Sequence, residues 1–439
     1  MTNRLSIWML ALLAATGCTK VTPVEEISVP SGAVIADAQT PQFPPEDWPW
    51  WRGPNRDGHS PSESAPVEWS ESQNVVWRTD VPGRGHAAPT VVGDRVFLAT
   101  ADEGQQTQSV VAFDRRTGDA AWETQLSQGG FPTAMHQNST HANSTVACDG
   151  ERLFAVFLHH DQVHVYALSM EGEQLWNTTA GRFVSVYGYA PSPVVYKSVV
   201  IIAADNKGGG YLAAIDRESG DIVWRKQRPA EATFSSPVVA TVGGRDLLVI
   251  SGCDMVAAYD PVSGEEVWTC PGTTKATCGT AVWDSERFFA SGGYPGAQTI
   301  AVDAASGKEV WSTAQKCYEQ SMLVSDGLLF AVTNNGVFCW NSATGEEQWR
   351  GRAGGKFSAS PVLAGGNIYA VNEGGTCYVF RAVGSGFELV AENRLGNEVF
   401  ATPTICGGRI YFRVAESLRG GRQERLYCIG QDAEADIGG

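Results

Sequence analysis

Short apolar runs alternate with polar positions along most of the chain, and glycine, asparagine, aspartate or proline punctuates the runs. Arg95-Val96-Phe97-Leu98 and Asn367-Ile368-Tyr369-Ala370 are examples, each following a Gly or Asp turn. This punctuation predicts many short strands joined by tight turns rather than long helices. From residue 73 onward the pattern repeats. A glycine turn, usually Thr-Gly or Ser-Gly, is followed four residues later by tryptophan: Gly118…Trp122, Gly172…Trp176, Gly220…Trp224, Gly264…Trp268, Gly307…Trp311 and Gly345…Trp349. Trp77 is an earlier copy of the tryptophan alone, and Gly386…Val390 a later copy that has lost it. Successive tryptophans lie 45, 54, 48, 44, 43 and 38 residues apart. A period of about 40–45 residues suits a four-stranded propeller blade.

Each unit opens on a small-residue strand, such as Ala88-Pro89-Thr90-Val91-Val92, Ser192-Pro193-Val194-Val195, Ser236-Pro237-Val238-Val239, Ser360-Pro361-Val362-Leu363 or Thr402-Pro403-Thr404-Ile405. A second strand follows, then a short apolar third (Ala112-Phe113-Asp114; Ala214-Ile215-Asp216; Ala258-Tyr259-Asp260; Ala301-Val302-Asp303), then the tryptophan-bearing outer strand. Units begin near residues 86, 143, 190, 234, 278, 320, 358 and 400. The eighth stops after its third strand, Leu426-Tyr427-Cys428-Ile429, and Val75-Val76-Trp77-Arg78 supplies the missing one. The expected fold is all-β: an eight-bladed β-propeller of four-stranded blades, closed by an N-terminal strand that protects an otherwise open sheet edge. Trp77, Trp122, Trp176, Trp224, Trp268, Trp311 and Trp349 are its expected blade-docking residues.

Composition narrows the function. The 439 residues include 49 glycines and 14 tryptophans, with 18% charged residues against about 25% in ordinary soluble chains. A hydrophobic content of 43% excludes global disorder. The net charge of -16 excludes broad nucleic-acid binding, which needs surplus Lys and Arg. About half of that acidity lies outside the ring, since residues 19–72 carry 3 basic and 9 acidic groups and residues 431–439 carry 3 acidic ones.

The first 18 residues read as a secretory signal: Arg4, an apolar run Leu5–Ala15 too short to span about 30 Å of bilayer, then Thr16-Gly17-Cys18. Small residues before a cysteine resemble the lipobox of bacterial lipoproteins, although Ala15 stands where leucine is usual. That resemblance implies acylation of Cys18 and a membrane-anchored, extracytoplasmic chain, periplasmic or on the outer membrane. Residues 19–72 read as a tether plus a Trp-rich segment, Trp48-Pro49-Trp50-Trp51-Arg52-Gly53-Pro54-Asn55-Arg56-Asp57-Gly58. Its tryptophans are expected to pack onto the main domain, with partner binding as the alternative. Residues 73–430 form the propeller and residues 431–439 an acidic tail.

The A-x-D-x-x-T-G-x-x-x-W register, seen in Ala112 through Trp122 and Ala301 through Trp311, resembles the tryptophan-docking repeat of pyrroloquinoline quinone (PQQ) propellers. Residues 73–430 look like the PQQ-like propellers grouped with the outer-membrane assembly lipoprotein BamB, and the Trp-rich segment resembles a planctomycete branch of that group. The resemblance implies either a non-catalytic scaffold or assembly factor with protein partners, or a PQQ- and Ca²⁺-dependent dehydrogenase with the quinone in the central channel. Family dehydrogenases typically carry two adjacent cysteines, and this chain has neither such a pair nor a C-x-x-C-H haem motif. The preferred reading is therefore a monomeric scaffold without cofactor, metal or catalytic residues. A small-molecule or glycan-binding propeller is the third possibility.

Propeller topology places the second-to-third-strand connections and the blade-to-blade connections on one face. His136, His141, His159, His160, Asp205, Asn206 and Lys207 fall there as candidate binding residues, with Asp161, Cys253, Asp254, Asn334, Asn335, Asn372 and Glu373 beside them. His164 alternates with Val163 and Val165 and reads as structural. Cys253, Cys270, Cys278 and Cys317 cluster around blades four and five; in an oxidising compartment the pattern admits a disulfide such as Cys270–Cys278, with the pairing open and a metal site as the alternative. Cys339 and Cys428 occupy the register of Ala112 and read as small buried residues; Cys148 and Cys406 share another.

Overall fold

Eight antiparallel four-stranded sheets, one per repeat unit, surround a central axis in the computed structural model, which describes residues 24–29, 35, 38–62, 64–419 and 421–430. Blade one is Thr90–Val92, Arg95–Asp102, Thr107–Asp114 and Ala120–Gln128, and the next six repeat this meander from axis to rim. Blade eight takes Thr404–Cys406, Arg409–Leu418 and Gly421–Ile429 from the C-terminal end, and Val75–Val81 from the N-terminal side as its outer strand. Trp77 pairs with Cys428 and Val81 with Glu424. The expected all-β, eight-bladed ring is the observed fold, closed by that strand.

Blades pack face to face through buried aliphatic and aromatic side chains. Phe97, Val110 and Ala112 of blade one lie against Cys148, Leu153, Phe157 and Leu168 of blade two, all nearly inaccessible. At the rim, each docking tryptophan faces a small third-strand residue: Ala112 opposite Trp122, Ala214 opposite Trp224, Cys339 opposite Trp349. The indole then lies over the turn glycine of the following blade. A β-carbon on Gly118 would sit 2.5 Å from the Trp77 ring, and one on Gly264 2.8 Å from Trp224. Those glycines have φ of +77° and +71°, a region side chains enter only at a cost. Six of the seven docking indoles also donate to turn carbonyls, as in Trp77 to Arg115 (3.0 Å) and Trp268 to Ala304 (2.9 Å), while that of Trp224 is buried without a partner among the described residues. In blade seven, where Val390 replaces tryptophan, Phe387 packs on Trp349 at 5.9 Å.

A belt of hydroxyls runs around the axis at the start of the inner strands. The backbone N–H of Ala88 donates to Thr145, Thr145 to Ser192, and Ser192 to Ser236, at 2.9 to 3.1 Å. Thr280 donates to Ser321, Ser321 to Ser360, and Ser360 to Thr402 in the same way. The Ser-Pro and Thr-Pro starts of the repeat therefore stitch neighbouring blades, and every one of these buried amides is satisfied.

Candidate functional site

Two places concentrate side chains the repeat does not require: the axis and the loop face. On the axis lies the Trp-rich segment. Trp48 exchanges both backbone hydrogen bonds with Val91 (2.7 and 3.0 Å), and Pro49 accepts from the N–H of Cys148 (2.8 Å). Trp50, 3% exposed, meets Phe43 edge-on at 5.3 Å. The Trp51 indole donates to Thr280 of the hydroxyl belt at 2.8 Å. Arg52, 2% exposed, donates to the carbonyls of Met322 (2.6 Å), Pro361 (2.9 Å) and Asp57 (3.0 Å). Burial drags its guanidinium down to about 10. Arg56 donates to Val195 (2.6 Å), and Gly58 accepts from the N–H of Leu363 (3.0 Å). These contacts reach blades one, two, three, five, six and seven, so residues 48–58 plug the channel at the level of the inner strands.

The void beside the plug measures about 10 Å³, bounded by Trp50, Trp51, Pro193 and Pro237. Small-ligand sites usually need about 300 Å³ or more. A tricyclic quinone at this level would have to displace Trp50, Trp51 and Arg52. At this level of the axis the residues present do not fit the group, and among the described residues no set of three or more His, Cys, Asp or Glu side chains is placed to hold a metal ion. The flanks of the plug are tied as well. Upstream, Ile27 pairs with Arg225 on the rim of blade three, and Asp47 meets Arg115 at 3.1 Å. Downstream, the N–H of Trp69 donates to Asn393 (2.9 Å), and the indole stacks on Tyr369.

The loop face brings four of the candidate histidines to one side. His159 stacks on His164 at 3.8 Å, shares a 3.0 Å Nδ1–Nδ1 contact with His160, and bonds Tyr166 Oη at 2.8 Å. Burial first, then the neighbouring rings of His164 and His160, lowers His159 to about 4. His160 is exposed, and its backbone N–H donates to Gly130 of the long connection. His141 stacks on Phe131 at 3.8 Å and is lowered to about 4 by burial; His136 lies 5.2 Å from Tyr187. Asp205 and Asn206 turn inward. Asp205 is 1% exposed and grips Arg228 with both oxygens (2.7 and 2.9 Å), while Asn206 ties its own turn through Gly208, Ala204 and Gly209. Of that trio only Lys207 reaches solvent.

Sequence reasoning missed the hydrophobic residues that stand out of this face, Tyr294 (62% exposed), Val186 (54%) and Tyr187 (44%). Their signal was a pair of aromatic residues inside otherwise polar connections. Neither Cys270–Cys278 nor any other pairing of these cysteines is formed: all nine described cysteines are free. Cys270 belongs to the outer strand Glu266–Pro271, opposite Val256, and its thiol is buried in the blade core. Cys278 and Cys317 are pushed up to about 12 by burial. Cys18 lies outside the described residues.

Comparison with known proteins agrees with the propeller fold. A family model described as outer membrane protein assembly factor BamB matches residues 66–146, 106–350 and 297–386. The chain is 24% identical to BamB of Burkholderia pseudomallei over 369 residues, covering 70% of this chain and 87% of that protein. It is 21% identical to a tetrathionate hydrolase of Acidithiobacillus ferrooxidans over 336 residues, covering 69% of this chain and 66% of the hydrolase. Among solved structures it resembles BamB from Moraxella catarrhalis (15% identity, TM-score 0.58, 80% of this chain and 99% of that one). It also resembles a europium-containing methanol dehydrogenase (13% identity, TM-score 0.64, 88% and 98%). At those identities the structural likeness is one of fold. With the family model spanning most of the ring, the chain belongs to the PQQ-like propeller family of outer membrane protein assembly factor BamB.

Proposed function

We propose that this chain is a non-catalytic scaffold or assembly factor that works outside the cytoplasm, anchored by a lipid on Cys18, and offers its loop face to a protein partner. The observation that carries this reading is the plug: the axis, where the family's quinone would sit, is filled by the chain's own Trp50, Trp51 and Arg52. The exposed Tyr187 and Tyr294 add the rigid aromatic surface that interfaces favour. The relatives named as assembly factors support the same role.

A photo-crosslinking residue at Tyr187 or Tyr294 should capture a specific partner in intact cells, and one at Gly243 on the opposite face should not. Capture from Gly243 alone, or equally from both faces, would contradict the assignment. Cys18→Ser should move the protein from the membrane to the soluble fraction. The hydrolase and dehydrogenase likenesses favour a second reading, an enzyme. Titration with PQQ and Ca²⁺ followed by a dye-linked alcohol oxidation assay tests its quinoprotein form; stoichiometric binding with turnover would replace the scaffold role.

A further inference from the structure

The plug has a second face. Where residues 40–43 and 54–56 cross beneath blades three to five, they leave a pocket of about 340 Å³ on the side of the short turns, opposite the loop face. This is the lower range of small-ligand sites. Phe43 and Trp50 of the N-terminal segment face Tyr196 of blade three and Trp283 of blade five across it, and blade four contributes Thr241 and Asp246. The wall is held in place: the N–H of Lys197 donates to Thr40, and Trp50 is fixed edge-on against Phe43.

Two charged groups line this pocket, and they are set differently. The Asp246 carboxylate accepts one hydrogen bond per oxygen, from Tyr196 Oη (2.8 Å) and Thr241 Oγ1 (2.6 Å), leaving lone pairs on both. Arg56 lies over the Trp50 ring at 4.3 Å and donates to the Val195 carbonyl, and it has no carboxylate within ion-pair distance among the described residues. Its backbone holds a φ of +63°, a conformation rare outside glycine and asparagine. Neighbouring Asn55 is exposed at the mouth. Arg56 ties the plug to blade three through a single bond, to Val195, which leaves most of its guanidinium donors, with the Asn55 amide, beside an aromatic-walled cavity.

The chemistry specifies the ligand from three sides. The Arg56 guanidinium feels the charge of Asp246 but makes no contact ion pair with it, and in this partly desolvated site its free donors favour a carboxylate, which the fork meets with two bonds. Aromatic faces favour the flat C–H face of a ring. A carboxylate with free lone pairs, beside threonine, asparagine and glutamine, favours hydroxyl groups. A neutral sugar leaves Arg56 unpaired, and a simple carboxylate leaves the aromatic walls uncovered. We infer that this pocket binds an acidic sugar, a uronic acid unit whose carboxylate meets Arg56, whose ring face lies on Trp50 or Trp283, and whose hydroxyls donate to Asp246. The inference is independent of the scaffold role and of any lipid anchor.

The test is titration of the full chain with D-galacturonate and D-glucuronate, read by tryptophan fluorescence and calorimetry, beside D-glucose and acetate at equal ionic strength. A saturable response to a uronate, with glucose and acetate at least about tenfold weaker, is expected, because one charge-assisted pair is worth that factor or more. Arg56→Gln should weaken uronate binding by about tenfold or more. Because Arg56 also bonds the inner strand of blade three, Trp283→Ala and Asp246→Asn, which leave the plug untouched, provide a second arm with the same expected loss. No saturable uronate response, equal binding of glucose or acetate, or wild-type affinity in all three variants would overturn the assignment.

Discussion

Arg52→Met is the sharpest test of the plug as a brace rather than a filler. The substitution keeps an unbranched side chain of similar length and removes the charge together with three hydrogen bonds, to Met322, Pro361 and Asp57. Hydrogen bonds to a charged group contribute about 1.5–3 kcal/mol each, so the three together supply on the order of 6 kcal/mol. Against this stands desolvation. Lowering the guanidinium from 12.5 to about 10 corresponds to about 3 kcal/mol at about 1.4 kcal/mol per unit. The net is a loss of about 3 kcal/mol in the variant, with the buried carbonyls of blades six and seven left unpaired. At about 2.1 cal/mol/K per residue, a ring of this size should then melt about 4 °C lower by calorimetry. Buried polar groups replaced by methionine sometimes gain stability instead. A melting temperature equal to or above wild type would show that Arg52 is merely tolerated, and the bracing role would fall.

Gly264→Ala and Gly243→Ala separate docking from backbone strain. Both positions have positive φ, +71° and +60°, but a β-carbon meets the Trp224 ring at 2.8 Å in the first and open space in the second. Gly243→Ala should cost about 1 kcal/mol and Gly264→Ala two to three times as much, by the overpacking rule; equal losses in urea melts would refute the docking argument. Stability should also depend on pH through the loop-face histidines. His141 and His159 sit near 4 in the folded protein and at about 6.5 unfolded, so the unfolded chain binds more protons between those values. Their contribution is fully present above about pH 6.5 and is lost as pH falls toward 4. His159 is buried and His141 partly so, so screening trims only part of a full linkage of about 3 kcal/mol per ring. His159→Gln should remove roughly half of the loss between pH 7 and 4.5; an identical pH profile would contradict it. Finally, thiol titration of the non-reduced chain in denaturant should count every cysteine after Cys18 as free. A count lower by two would restore a disulfide.

The ring was legible because its determinants are local and repeat. A glycine turn, a tryptophan four residues on and a small residue across the strand pair lie close together in each unit, so Ala112–Trp122 and Cys428–Trp77 announce one register. Other features required the closed ring itself. Ser192-Pro193 and Ser236-Pro237 stand out as a motif, but the bond from the Ser192 amide to Ser236 joins positions a whole blade apart. The plug is the extreme case. Three tryptophans in four residues demand burial wherever they go; only closure of the ring brings Val91, Cys148, Val195, Thr280, Met322 and Pro361 to one axis, where residues 48–56 can touch all six.

The misreadings have a common physical origin. Asp205 and Asn206 lie in a turn, and turns of polar residues look solvated. Arg228, on the outer strand of the same blade, draws the carboxylate inward and makes the turn structural. Cys270 and Cys278 are close in sequence, yet the blade core claims one of them. In both cases a long-range partner outcompeted the local pattern. The same competition indicates where activity should be sought. Docking turns recur in nearly every blade and serve the ring, whereas the deviations from the repeat carry what the ring does not need: residues 48–58, the 127–142 connection with its histidines, and the exposed Val186-Tyr187 pair. Substitutions at the docking turns should therefore change stability and leave binding alone, and substitutions at the exposed side chains of these deviations should do the reverse; their buried members, Arg52 and His141 among them, also serve the ring.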